Sequence, residues 1–183
     1  MKLLVLDVAD AYSILFKILK FNNQHNPAEG RPRIIPVTAG GPVQSAIGSG
    51  SEKKADPFGR FLVDQDGAEI TSRSGRVKVK IGRNALDGPA FFEIVEDNDP
   101  AFANAFDFGR SFEIKVEGVN GKPVQNDLRY PIQIEYHFDP GEFLGREGGI
   151  RLFYYAEKLN VWLILPGHAD AQSRRVIGQS SYL

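Results

Sequence analysis

The chain has 183 residues, 42% of them hydrophobic, with 13 Phe and 6 Tyr; that is enough apolar side chain for a real core and excludes global disorder. Its 22 basic and 23 acidic residues leave a net charge of −1, which gives neither the basic footprint of a nucleic-acid binder nor attraction of the whole chain to an anionic membrane. The absence of cysteine excludes a disulfide scaffold, a cysteine-ligated zinc site and a thiol nucleophile, and no apolar run reaches the roughly 18 residues of a transmembrane helix.

In chain order, the apolar start from Met1 to Phe16 is interrupted by Asp7 and Asp10, and no small-residue cleavage site follows closely. It reads as a helix of the mature chain rather than a signal peptide. Val8, Ala11, Leu15, Ile18 and Leu19 recur at three- and four-residue steps and share one face. Asp7 suits the N-cap, Lys17 and Lys20 suit the last turn, and Asn22-Asn23 stops the run. Residues 1–22 are therefore expected as an N-terminal amphipathic helix. Residues 23–57 read as a linker rich in Pro and Gly, interrupted by Ile34-Ile35-Pro36-Val37, an extended piece suited to a sheet edge.

Residues 58–183 read as strands throughout. Phe61–Asp64 and Ala68–Thr71 are expected to form a hairpin around Asp66-Gly67. After a turn at Ser74-Gly75, Val77, Val79 and Ile81 alternate with Arg76, Lys78 and Lys80, the pattern of a half-buried antiparallel strand. Phe92 with Ile94, then Phe112, Ile114 and Val116, continue it, followed by a turn at Asn120-Gly121. Ile132, Ile134, Tyr136 and Phe138 form the inward face of the next strand. Residues 150–155 and 161–165 form a hairpin, His168-Ala169-Asp170 a turn, and a last strand begins at Val176. Short strands at regular spacing, uninterrupted by helical periodicity, predict a mostly β fold: an antiparallel β-sandwich over 58–183 with a short N-terminal α-helix and an extended linker.

Four pieces carry a family resemblance. They are Gly75–Leu86, whose Val77, Val79 and Ile81 alternate; Phe112-Glu113-Ile114; Lys122-Pro123-Val124 leading to Pro131–Pro140; and Ile150–Tyr155 with Trp162 and Leu165-Pro166-Gly167. In order and spacing, residues 67–183 resemble a β-sandwich module of prokaryotic surface proteins, similar to the first sandwich of the spectrin-binding region of ankyrins and to its relative in netrin receptors. Gly82 stands where that family favours Pro, which loosens one turn. Some relatives cut themselves at a His-Phe-Ser near the last strand; the matching stretch here, Gly178–Leu183, lacks the His and the Phe. A second, partial resemblance covers Leu6–Leu15, which looks like the second half of a dockerin repeat, with Asp10 at the place of the last calcium ligand. The loop's first ligands would fall on Met1–Leu4, which cannot chelate.

Candidate chemistry is sparse. His25, His137 and His168 are far apart, and no motif sets a nucleophile beside a base. Asp64 with Asp66, and Asp97 with Asp99, supply oxygens of the kind calcium takes, although Asp-Gly and Asn-Asp-Pro sequences are first of all turn formers. Gly145–Gly149 lacks the Lys-Ser/Thr of a phosphate loop. Tyr154, Tyr155 and Trp162 lie on facing strands, and since neighbours alternate, one tyrosine must point outward, where an aromatic stacks on a sugar ring or a partner. Together with the resemblance, these features imply a non-catalytic extracellular or cell-surface module with a structural or interaction role. Its partners would be other domains of a larger surface protein or copies of itself, with no nucleic acid and no membrane span. No cofactor is expected unless calcium binds the acidic turns. The alternatives are a subunit that assembles into a surface layer or filament by strand pairing, and a carbohydrate-binding module attached to a larger secreted enzyme.

Overall fold

The computed structural model describes residues 1–7, 50–97, 110–121, 124, 128–143, 145–156 and 161–183. It is built on two antiparallel sheets. The six-stranded sheet holds β1 (Lys2–Asp7), β2 (Arg60–Val63), β5 (Ala90–Asp97), β6 (Arg110–Gly118), β8 (Ile150–Ala156) and β9 (Val161–Ile164), in the order β2-β5-β6-β1-β8-β9. The five-stranded sheet holds β3 (Ala68–Thr71), β4 (Val77–Ile81), β7 (Ile132–His137), β10 (Gly167–Asp170) and β11 (Arg175–Ser180), in the order β10-β11-β7-β4-β3.

One apolar core joins their inner faces. Leu3, Val5, Phe92, Phe112, Ile114 and Leu152 come from the first sheet, and Ile70, Val77, Val79, Ile81, Ile132, Ile134 and Val176 from the second, in a single contiguous cluster. The alternation read from Arg76 to Ile81 is what the fold uses: Val77, Val79 and Ile81 are fully buried while Lys78 and Lys80 face out. The Ser74-Gly75 turn joins β3 to β4, and β8 and β9 form the expected hairpin, with Ala156 opposite Val161.

Three expectations are corrected. First, the expected hairpin around Asp66-Gly67 is a crossing: β2 pairs with β5 in the first sheet and β3 with β4 in the second. The turn dipeptide is right, but it redirects the chain instead of reversing it. Gly67 N–H donates to Asp64 O at 3.1 Å, and Asn84 N–H to Gln65 O at 2.7 Å. Gly67 has φ +76°, and a Cβ there would lie 2.3 Å from Ile81 O, a backbone atom that cannot step aside. Gly67→Ala is therefore expected to cost about 3 kcal/mol or more, adding a clash to the ~1–3 kcal/mol of left-handed strain. Gly75→Ala, at φ +80° with nothing within 4 Å, serves as the comparison and is expected to cost about 1 kcal/mol. Urea unfolding of the two variants side by side measures the difference.

Second, His168-Ala169-Asp170 is part of a strand, β10, paired with β11. The chain reaches it from β9 through Leu165-Pro166, a second crossing tied to both sheets: Leu165 N–H donates to Leu152 O and Pro166 O accepts from Gln179 N–H, each at 2.8 Å.

Third, the chain begins with a strand. The expected helix over 1–22 lies outside the described residues from position 8 onward, but Lys2–Asp7 is β1, paired with β6 on one side and β8 on the other. Asp7, expected as an N-cap, is the buried last residue of that strand. Leu3-Leu4-Val5-Leu6 is buried on both faces: Leu3 and Val5 enter the core, while Leu4 and Leu6 join Phe153, Trp162 and Ile164 in a second cluster on the sheet's other face. A strand buried on both faces shows no alternation, and a short apolar run of that kind cannot be told from a helical segment by period.

Of the 23–57 stretch, residues 50–57 are described, and part of them is paired. Lys53 N–H donates to Glu69 O at 3.0 Å and Glu69 N–H to Ser51 O at 3.2 Å, along the outer edge of β3. The Ile34–Val37 piece lies outside the described residues.

Candidate functional site

The best-defined polar site was not singled out by sequence. Near the end of β7, Tyr136 points inward, its ring stacked on Phe112 with centroids 6.2 Å apart. A buried phenol needs a partner for its hydroxyl, and the Asp139-Pro140-Gly141-Glu142 turn provides one. Glu142 N–H donates to Asp139 O at 3.1 Å, Gly141 has φ +79°, and Phe143 packs edge-on against Phe138 at 5.5 Å. This anchors the turn so that the Glu142 side chain, 8% exposed, folds back over the end of β7.

Glu142 then collects donors from both sheets. Its Oε1 accepts from Tyr136 Oη at 3.0 Å, from Arg110 Nε at 2.8 Å and from Arg76 Nη1 at 3.3 Å; its Oε2 accepts from Asp139 N–H at 2.9 Å. Arg76 also donates from Nη1 to Tyr136 Oη at 3.3 Å, and its Nη2 pairs with Asp139. Arg110 opens β6 of the first sheet, Arg76 immediately precedes β4 of the second and Tyr136 lies within β7 of the second, so one carboxylate bridges the two layers. Burial alone would raise its pKa. The Asp139 amide, the Tyr136 hydroxyl, Arg110 and the charge of Arg76 outweigh that and hold it below the ordinary 4.5. Burial and the Glu142 charge push Tyr136 up to about 12 despite Arg76, so the phenol stays neutral. With both oxygens engaged, Glu142 ties the Asp139–Glu142 turn to groups from both sheets.

A second buried carboxylate sits on the outer face of the five-stranded sheet. Alternation places Glu135 outward between Ile134 and Tyr136, yet it is only 1% exposed. Side chains from β7 itself and from its neighbours β4 and β11 surround it: Lys80 Nζ at 2.6 Å, Gln133 Nε2 at 2.7 Å, and Arg175 Nη1 and His137 Nε2, each at 3.5 Å. His137, expected on the surface, is a rim member of this network, and His168 is exposed on β10.

The residues singled out by sequence fall in three places. Tyr154 turns inward against the core and stacks on Tyr182 at 6.5 Å. Tyr155 turns outward and meets Trp162 across the β8–β9 pair, with centroids 5.2 Å apart and planes at 45°. The Leu165-to-Leu152 bond sets the ladder's phase, placing Tyr155 and Trp162 at a close, non-hydrogen-bonded pair where side chains meet. Asp64 is engaged in its own turn: Oδ1 accepts from Asp66 N–H at 3.0 Å and Oδ2 meets Lys53 Nζ at 3.4 Å, while Asp66 faces Arg83 at 3.8 Å. Asp97 closes β5 opposite Ser111, and Asp99 lies outside the described residues. Among the described residues, no group of three or more His, Asp or Glu is arranged to hold a metal ion, and no helix is long and apolar enough to cross a membrane.

Against known proteins, the chain matches no protein-family model, no curated protein and no solved structure.

Proposed function

We propose that the chain is a non-catalytic module of an extracellular or cell-surface protein: a β-sandwich that acts as a stiff structural or interaction unit, joined to neighbouring domains of the same protein or to copies of itself. The observation that carries this reading is the clamp. The Glu142 carboxylate holds Arg76 and Tyr136 of one layer and Arg110 of the other. The resemblance of residues 67–183 to prokaryotic surface modules supplies the setting, and it is an argument by analogy.

Pulling a tandem array of the chain by its ends tests the reading. A stiff unit is expected to break in one force peak per copy, and Glu142→Gln is expected to lower that peak. Extension without a peak would sink the structural role.

The carbohydrate-binding alternative rests on Tyr155 and Trp162, which share one face of the first sheet but are tilted to each other rather than forming one flat platform. Our reading expects no retention on insoluble polysaccharides. Retention that Trp162→Ala abolishes would favour the alternative. Assembly by strand pairing is opposed at two of the sheet edges. Residues 51–53 occupy the Glu69 groups of β3, and on β2 the Asp56 amide donates to Arg60 O at 2.7 Å while its carboxylate accepts Arg60 N–H at 2.9 Å.

A further inference from the structure

Take β1 away and the six-stranded sheet falls into two parts. β2, β5 and β6 lie on one side, β8 and β9 on the other, and β1 alone pairs with both, antiparallel to β6 and to β8. Its neighbours therefore present two rows of backbone groups to one slot, and those groups need a strand between them. The slot is apolar on both faces: Leu3 and Val5 enter the main core, and Leu4 and Leu6 are buried with Phe153 on the other side.

The two ends of the slot fix the register. Lys2 lies opposite Glu113, one charge against the other. Asp7 is buried opposite Ile150 and fits because Gly149 has no side chain; a Cβ there would lie 2.7 Å from Asp7 Oδ2. A slip of one residue would exchange the faces, and a slip of two would move the carboxylate off Gly149 and the lysine off Glu113. The slot is thus built for the sequence Lys2–Asp7, and every copy of the chain carries that sequence.

β1 is also the strand least bound by connectivity. β5 runs to β6 through residues 98–109 and β8 to β9 through 157–160, whereas β1 reaches β2 only through residues 8–59. On the far side of that connection, Ser51 and Lys53 are bonded to Glu69 of β3, in the other sheet. The cost of closing a loop rises with its length, and a tether of this length holds the internal strand at an effective concentration of about a millimolar or less. A β1 from a second copy would make the same bonds in the same slot, so the two arrangements differ only in the tether.

We propose that the slot between β6 and β8 is a strand-exchange site: it takes β1 of a second copy, and two copies that trade first strands form a dimer with the interior of the monomer. The proposal rests on reading the chain as an interaction module and names the element exchanged. Because the strand enters in mid-sheet, the occupied edges of β2 and β3 do not oppose it.

Refolding of the full chain from urea over a concentration series, followed by sedimentation, tests it. Near about 1 mM, dimer and monomer are expected in comparable amounts, and their ratio is expected to fall about a hundredfold at about 10 µM. The dimer is expected to survive dilution, since releasing β1 requires the sheet to open. Wild type that refolds only as a monomer even at the highest concentration would overturn the proposal, and so would a dimer that dissociates promptly on dilution, as a surface contact does. Two full-length variants give a second readout. Val5→Pro removes a ladder donor from a strand paired on both sides and leaves the slot; Leu152→Asp puts a charge in the core beside the slot and leaves β1. Neither is expected to show a urea transition alone, and the mixture is expected to regain one, because the first chain takes β1 from the second. A mixture that regains nothing would overturn the proposal, as would a Val5→Pro chain that melts cooperatively by itself, since its slot would need no strand. None of these results alters the single-peak pulling test of the structural reading, so the two failures are distinguishable.

Discussion

Deletion of Lys2–Asp7 is expected to abolish cooperative folding, although only the 6 residues of β1 are lost. Leu3, Leu4, Val5 and Leu6 are 0–3% exposed, and at about 1.5–3 kcal/mol each their burial is worth roughly 6–12 kcal/mol, comparable to the ~5–15 kcal/mol net stability of a domain. The deletion also leaves β6 and β8 facing each other across an empty strand position in mid-sheet, with two rows of backbone groups unpaired. Near-ultraviolet circular dichroism and a urea melt are expected to show lost tertiary signal and no transition. The milder Leu3→Ala is expected to fold and to lose about 2–5 kcal/mol. A deletion variant that melts like the full chain would remove β1 from the sheet.

Glu142→Ala is the second large effect expected. It leaves Arg76, Arg110 and the Tyr136 hydroxyl without their shared acceptor. Removing one partner of a buried ion pair costs about 3–5 kcal/mol. Arg110 is half-exposed and can turn to water, so a loss of about 2–3 kcal/mol is expected here. The loss also depends on pH in a defined sense. The folded-state pKa of Glu142 lies below its unfolded value near 4.5, so its contribution is complete above that value and declines as pH falls through the folded pKa. The gap in urea midpoint between wild type and Glu142→Gln is therefore expected to be widest near neutrality and to close in acid. Asp56, Asp64, Glu135 and Asp170 are lowered as well, so the wild type retains an acid limb that the variant only flattens. A gap that is constant down to strong acid would mean that the carboxylate charge does not act through this clamp.

What the sequence revealed follows from burial on one side. Strands with a single buried face, such as Val77–Ile81 and Ile132–His137, declare themselves by alternation, and their inward sets are the ones found in the core. β1 does not, because both of its faces are covered and its four consecutive aliphatic residues carry no period. The Asp66-Gly67 turn was legible but its destination was not. A left-handed glycine marks a sharp change of direction, and only the pairing of β2 with β5 decides whether the chain reverses or crosses.

The candidate site was partly legible for a related reason. Tyr154 and Tyr155 had to face opposite ways, and they do, with Tyr155 meeting Trp162. The clamp left one trace: Tyr136 stands among inward aliphatic residues, and its hydroxyl demanded a partner. That partner, Glu142, sits only six positions on in sequence, but the two arginines that complete it come from strands that only the fold brings together.

Amide hydrogen exchange followed peptide by peptide tests the central claim most directly: that the chain is one stiff unit, with β1 at the middle of its first sheet and both sheets joined through Glu142. Residues 2–7 are expected to exchange as slowly as 112–116 and 132–136, and Glu142→Gln is expected to speed all three together. Fast exchange over 2–7 beside protected 112–116, or a Glu142→Gln effect confined to its own turn, would contradict it.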